Sequence, residues 1–182
     1  MPSRSDLLRL LSAYQPTDPD EQRHRLEMFD LAAAAHDPFD RTHYEPGHFT
    51  ASGFVIHPEG DRVLLIRHIK IGAWLQPGGH IDPGDASPMA AAMREITEET
   101  GVQSLAPVTR SIMDVDIHVF PELDQPEHHH YDVRFAFVAT HADLASNHEV
   151  LEARWADLDE AGELNPDRSV VRPIQKLLES VE

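Results

Sequence analysis

Residues 79–102, GHIDPGDASPMAAAMREITEETGV, decide how this chain is read. An α-helix turns about 100° per residue, so positions i, i+3 and i+4 are neighbours on its surface. Glu95, Glu98 and Glu99 have that spacing. Ser87 followed by Pro88 fits an N-cap and a first helical residue, because a serine oxygen accepts an orphan amide and proline has no amide to place there. Gly101 suits the left-handed position just past a helix end. The pattern predicts a helix over residues 88–100, with Met89, Met93, Ile96 and Thr100 on an apolar stripe and the three glutamates on the opposite side. Three like charges on one face repel, and the macrodipole disfavours two of them in the last turn by roughly 0.3–1 kcal/mol each. A divalent cation with hard oxygen ligands turns that repulsion into shared coordination, so a magnesium site is the first expectation. The turn-rich stretch upstream, with Pro77, Gly78, Gly79, Pro83 and Gly84, lets backbone come close to a ligand and offers a carbonyl, that of Gly79, to the same ion.

The run Arg94-Glu95-Ile96-Thr97-Glu98-Glu99-Thr100-Gly101-Val102 resembles the second half of the Nudix box, Arg-Glu-aliphatic-x-Glu-Glu-x-Gly-aliphatic, at every defined position. The first half departs twice. Asp85 stands where the box has glutamate, and eight residues instead of seven separate it from Arg94. In the family the first acid pairs with the box arginine, so the departure bears on the Asp85 to Arg94 pair and leaves the glutamates untouched. The resemblance implies an α/β/α sandwich with a mixed sheet over about residues 48–182, preceded by a helical extension and linker at 1–47. It further implies hydrolysis of a nucleoside diphosphate linked to another group, ADP-ribose or a nucleoside diphosphate sugar first, by water attacking phosphorus. Mg2+, or Mn2+ in its place, would be held by Gly79, Glu95, Glu98 and Glu99. Arg94 counts with the catalytic residues, and the general base is expected at Glu98, then Glu149, then Glu152. A nucleoside triphosphate or dinucleoside polyphosphate is the alternative substrate. A catalytically silent nucleotide sensor, and a metal-binding domain organised by the histidine run, are alternatives of other classes.

Composition agrees with an α/β (α+β) domain and a small partner. A chain of 182 residues buries a real core. Its formal net charge of -17 excludes a general nucleic-acid binder, which needs clustered Lys and Arg against phosphate. With no cysteine there are no disulfides and no thiolate metal sites. No stretch is apolar enough for a membrane span and residues 1–4 carry no signal-peptide pattern, so a cytoplasmic protein without membrane or nucleic-acid partners is expected.

Two helices are predicted ahead of the domain. One covers residues 5–14; the other is capped by Asp18, with Pro19 first, Glu21 at the capping-box position and an end near His36. Their apolar residues, Leu7, Leu8, Leu11 and Leu26, Phe29, Leu31, are too few for an independent core, so these faces must cover the domain or a second copy in a homodimer. Strands are expected at 48–57, 63–68, 108–120, 131–140 and 149–156. A last helix at 170–181 would place Ile174, Leu177 and Leu178 inward and hold Pro173 in its first turn. Substrate contacts are assigned to Arg67, His68 and Lys70 at a strand end before the box, to Trp74 as a stacking ring, and to His130 and Arg134 on a later strand; Phe49 is a second ring able to stack, and core is the commoner place for both aromatics. His128 and His130 share one strand face, where His118 would complete a zinc set.

Overall fold

The computed structural model describes residues 2–145 and 148–181, with side chains of the last helix up to Leu177. Leu178, expected on that helix's apolar face, lies outside the described side chains. The element order is α1 (Arg4–Ala13), α2 (Pro19–Ala33), β1 (Gly47–Ile56), β2 (Val63–His68), β3 (Trp74–Leu75), β4 (Gly78–His80), α3 (Pro88–Thr100), β5 (Leu105–Pro107), β6 (Asp114–Phe120), β7 (His128–Ala139), β8 (Val150–Ala156), α4 (Leu158–Leu164) and α5 (Arg168–Val181).

One mixed sheet runs β3-β2-β1-β7-β5, with β4 on β1, β6 on β7 and β8 on β2. β1 pairs in parallel with β7 over its whole length, from Gly47 opposite His129 to Ile56 opposite Val138. All other pairings are antiparallel. Alternation along the central strands sorts side chains to two faces. Phe49, Ala51 and Val55 of β1, with Phe135 and Phe137 of β7, meet Ala92 and Ile96 of α3 and Leu7, Leu11 and Met28 of α1 and α2. Phe54, Ile56 and Ala136 face the other way, against Ala161 of α4 and Val170, Ile174 and Leu177 of α5. This is the α/β/α sandwich expected. Gly53 brings α3 close to the sheet: a Cβ there would stand 2.6 Å from Ile96 Cδ1 and 2.8 Å from Phe137 Cε2.

α1 and α2 cap one face, and the inward side of α2 differs from expectation. Leu26 is 53% exposed, while Glu21, His24, Met28, Leu31 and Ala32 are buried. The polar members are held by a buried ion network. Glu21 pairs with Lys176 and lies 3.4 Å from Arg172. Arg172 donates to both oxygens of Asp114 at 2.9 Å, and Arg134 reaches Asp114 at 3.2 Å, Asp116 at 3.1 Å and Asp132 at 2.8 Å. Buried charges persist only when paired and hydrogen-bonded, and here the pairing links α2, β6, β7 and α5. A chain starting at Glu45 is therefore expected to lose solubility, because it uncovers the apolar face and strips Glu21 from Lys176. Unchanged solubility and unchanged KM in that shortened chain would make the helices dispensable.

Three other expectations are corrected. Of the strand expected at 108–120 only residues 114–120 form one (β6), while β5, at 105–107, pairs with a separate stretch of β7. Pro107 lacks the amide for a continuous ladder, and Ser111 N bonds its own local Thr109 Oγ1. The short α4 was not expected, although Asp157 caps it by accepting from Glu160 N at 2.8 Å. Pro173 is the sixth residue of α5, past the first turn. The carbonyl that its missing N–H would have engaged, that of Ser169, accepts instead from Arg134 Nη1 at 2.6 Å.

Candidate active site

α3 has the bounds and caps that the sequence predicts. Ser87 Oγ accepts from Ala90 N at 3.2 Å, and Gly101 takes φ 72°. The face assignment needs one correction. Glu99 lies with Ala92 and Ile96 on the buried side, only 2% exposed, because the loop entering β4 covers it. Its Oε2 accepts from Gly78 N at 2.9 Å. β4 pairs with β1 through Ala51 opposite Gly79 and Ser52 opposite Gly78, which sets this loop against the helix. Two glycines are required by that approach. A Cβ on Gly79 would lie 2.8 Å from the Glu95 carboxylate, and one on Gly78, at φ +155°, would lie 2.3 Å from Ser52 Cβ.

The altered front half of the box still makes its ion pair. Asp85 Oδ1 and Oδ2 accept from Arg94 Nε and Nη2, both at 3.0 Å, and Asp85 Oδ2 also accepts from Asp82 N at 2.8 Å. The shorter side chain and the longer connection leave a bidentate geometry intact. Arg94 then donates Nη1 to Glu95 at 2.9 Å and to Glu98 at 3.2 Å, and Nη2 to the His80 carbonyl at 2.9 Å. One guanidinium thus holds two of the three claw carboxylates and the β4 backbone.

Electrostatics mark these carboxylates as short of positive charge. Burial pushes the Glu99 carboxyl up to about 8, against the Gly78 amide and with help from Glu95, Glu149 and Glu98. Burial also raises Glu95, with Arg94 pulling it back and Glu98 and Glu149 pushing the same way as burial. Hard oxygens crowded in this way fit Mg2+ or Mn2+, and the absence of a side chain at Gly79 leaves its backbone open beside them.

The claw lines a cleft of about 880 Å³, a size suited to a nucleotide. Along that cleft lie His68, Lys70, His130, Arg134 and Glu149 from the expected set, together with Gln76, His80, Asp132 and Asn165, which sequence reasoning missed. Glu149 is close enough to act on both Glu95 and Glu99. Glu152 is turned to Arg154, which donates to it at 2.7 Å. Trp74 has the Arg154 guanidinium over its ring, 5.1 Å from the centroid, and Arg67 is exposed near the end of β2; neither lines the cleft. Lys70 pairs with Asp124 at 2.7 Å. Arg134 borders the cleft, but its donors are engaged by Asp114, Asp116, Asp132 and the Ser169 carbonyl. Phe49 is fully buried in the core. Asp132 also accepts from Ser52 Oγ at 2.7 Å and Thr50 Oγ1 at 3.2 Å, so the cleft floor is a fixed polar network.

The sequence model of the NUDIX domain matches residues 47–177. Over 54 residues, 29% of this chain and 36% of the other, the chain is 43% identical to a putative 8-oxo-dGTP diphosphatase of Bacillus subtilis. Over 104 residues it is 35% identical to an RNA pyrophosphohydrolase of Erythrobacter litoralis, covering 50% of this chain and 63% of that one. In both cases less than two thirds of the relative is matched. A solved structure of similar fold is the NUDIX domain of Shewanella oneidensis NrtR complexed with ADP ribose, at 16% identity and TM-score 0.56 over 74% of this chain and 88% of that one. No helix among the described residues is long and apolar enough to cross a membrane. With the matched model spanning the sheet, the claw helix and its loop, the chain belongs to the Nudix family.

Proposed function

We propose that this chain hydrolyses the pyrophosphate bond of a nucleoside diphosphate linked to another group, with ADP-ribose or a nucleoside diphosphate sugar as the first substrate class. One observation carries the reading: three carboxylates, two pushed up by burial and by neighbouring carboxylates, meet a side-chain-free backbone in a nucleotide-sized cleft. Divalent cations, Mg2+ or Mn2+, held by Glu95, Glu98, Glu99 and the Gly79 carbonyl, supply neutralisation of the non-bridging phosphate oxygens when bound. The protein does the rest. Arg94 fixes Glu95 and Glu98 through two hydrogen bonds from one nitrogen, and Asp85 fixes Arg94. The Glu98 oxygen opposite the one that Arg94 holds takes the proton of the attacking water; Glu149, on the same cleft, is the second candidate for that role. Lys70 and His68 at the cleft wall meet the distal part of the substrate. The acidic surface, at net charge -17, opposes a long polyanion and favours a small nucleotide.

A panel of ADP-ribose, nucleoside diphosphate sugars, dinucleoside polyphosphates, nucleoside triphosphates, coenzyme A and 5′-triphosphorylated RNA, each with Mg2+, tests this reading. The highest kcat/KM is expected for ADP-ribose or a nucleoside diphosphate sugar. The names of the Bacillus and Erythrobacter relatives favour a second reading, a triphosphate or an RNA 5′ end, and a preference for either would replace the first. No turnover of any member would favour a nucleotide-sensing domain.

A further inference from the structure

We propose a second metal site, for a borderline transition ion of the zinc class, formed by Nε2 of His48, His128 and His130. The strand register builds it. His48 of β1 is the parallel partner of His130 of β7, and His128 precedes His130 by two residues, so all three imidazoles share one sheet face. Their ligand atoms lie within 4.8 Å of one another, and the Nε2 atoms of His128 and His130 are 3.1 Å apart. Tetrahedral ligation with metal-nitrogen bonds of about 2.0–2.1 Å places nitrogens about 3.3 Å apart, so a small inward movement of His48 completes the set.

Two of the three outer nitrogens already have the partners that a metal-binding histidine uses. His48 Nδ1 is 3.1 Å from the His43 carbonyl, and His128 Nδ1 is 2.6 Å from the Pro126 carbonyl. A carbonyl fixes the proton on Nδ1 and leaves Nε2 as a bare lone pair. A proton on His130 Nε2 would satisfy its contact with His128, yet His48 Nε2 stays buried without any hydrogen-bond partner. Such an orphan normally costs about 1–3 kcal/mol. A cation at the centre accepts all three lone pairs.

The set differs from the one that the sequence suggested. His118, whose Nδ1 is 3.2 Å from Asp116, is not among the ligand atoms that lie within 4.8 Å of one another, and His48, far away in sequence, stands in its place. His80, its ring 5.1 Å from that of His48 and its Nε2 also buried without a partner, adjoins the group. The fourth position falls to it or to a cleft water. Nitrogen ligands discriminate against Mg2+, so this site and the carboxylate claw select different ions. An ion here would tie the linker carrying His43, the β6–β7 loop carrying Pro126 and the wall of the cleft together.

The test uses full-length protein stripped with chelator, then dialysed against Zn2+ in a large excess of Mg2+, with metal measured by elemental analysis and melting followed in parallel. One retained zinc per chain and a raised melting temperature are expected for wild type and for His129→Gln, whose ring lies on the opposite face. His128→Gln and His130→Gln should each weaken zinc binding by about tenfold or more, and His48→Gln likewise if it folds. Co2+ in place of Zn2+ should give the visible absorption of a four-coordinate nitrogen site in wild type and His129→Gln, and not in His128→Gln or His130→Gln. Zinc displaced by Mg2+, zinc retained equally by His128→Gln and His130→Gln, or wild-type melting indifferent to Zn2+ would each overturn the proposal.

Discussion

Glu99→Gln is expected to lower Mg2+-dependent turnover by about 10²-fold or more while leaving the metal-free protein as stable as wild type or more so. Both halves come from one environment. Glu99 is buried against the β4 loop, and burial raises its carboxyl to about 8. A carboxyl raised in the folded state is favoured there as the neutral acid, so its ionisation costs stability. That cost is absent below the unfolded value near 4.5 and complete above the folded value of about 8. Glutamine keeps an oxygen for the Gly78 amide and carries no charge. The advantage of Glu99→Gln in metal-free melting should therefore be nil near pH 4.5 and grow to about 1–3 kcal/mol above pH 8. Mg2+ should stabilise wild type and abolish this difference. Thermal melts across that pH range, with and without Mg2+, check the sign, and near-wild-type turnover by Glu99→Gln would remove the claw from the mechanism.

The second large effect is on stability. Asp114 is fully buried and receives Arg172 twice, Arg134 once and Lys176 at 3.1 Å. Burial pushes its carboxyl up, and Arg172 and Arg134 pull it back down. In Asp116, by contrast, Arg134 and the neighbouring histidines outweigh burial, and the carboxyl is held below the usual range. Asp114→Ala leaves two guanidinium groups and an ammonium packed against one another without their shared counterion. Breaking a buried pair in this way costs about 3–5 kcal/mol. Urea unfolding at neutral pH should show that loss, and a change below about 1 kcal/mol would mean that water replaces the carboxylate and the network does not hold α2 and α5 to the sheet. The depressed Asp116 gives its stabilisation above the unfolded carboxylate value and loses it as pH falls toward the folded value.

Much of this was legible because the information is local. α3 announces itself through Ser87, Pro88 and Gly101, each acting within one turn, and the Arg94 to Gly101 run specifies the claw. The strands of the central sheet were readable from β-branched and aromatic runs bounded by turns. What was missed depends on distant pairing. The inward face of α2 could not be read from its leucines, because Glu21 and His24 are buried by partners in α5 and β6, more than ninety residues on. The place of His48 beside His130 requires the parallel β1–β7 register, which no local pattern encodes. Gln76, Asp132 and Asn165 reach the cleft only through that same tertiary arrangement.

Turnover of ADP-ribose in H₂¹⁸O, in Mg2+ and in chelator, by wild type and by Glu98→Gln tests the central claim most directly. The account predicts that Mg2+-dependent cleavage yields two phosphate monoesters with one ¹⁸O on phosphorus, and that chelator or Glu98→Gln suppresses it. Cleavage that persists in chelator, label on carbon, or undiminished turnover by Glu98→Gln would contradict it.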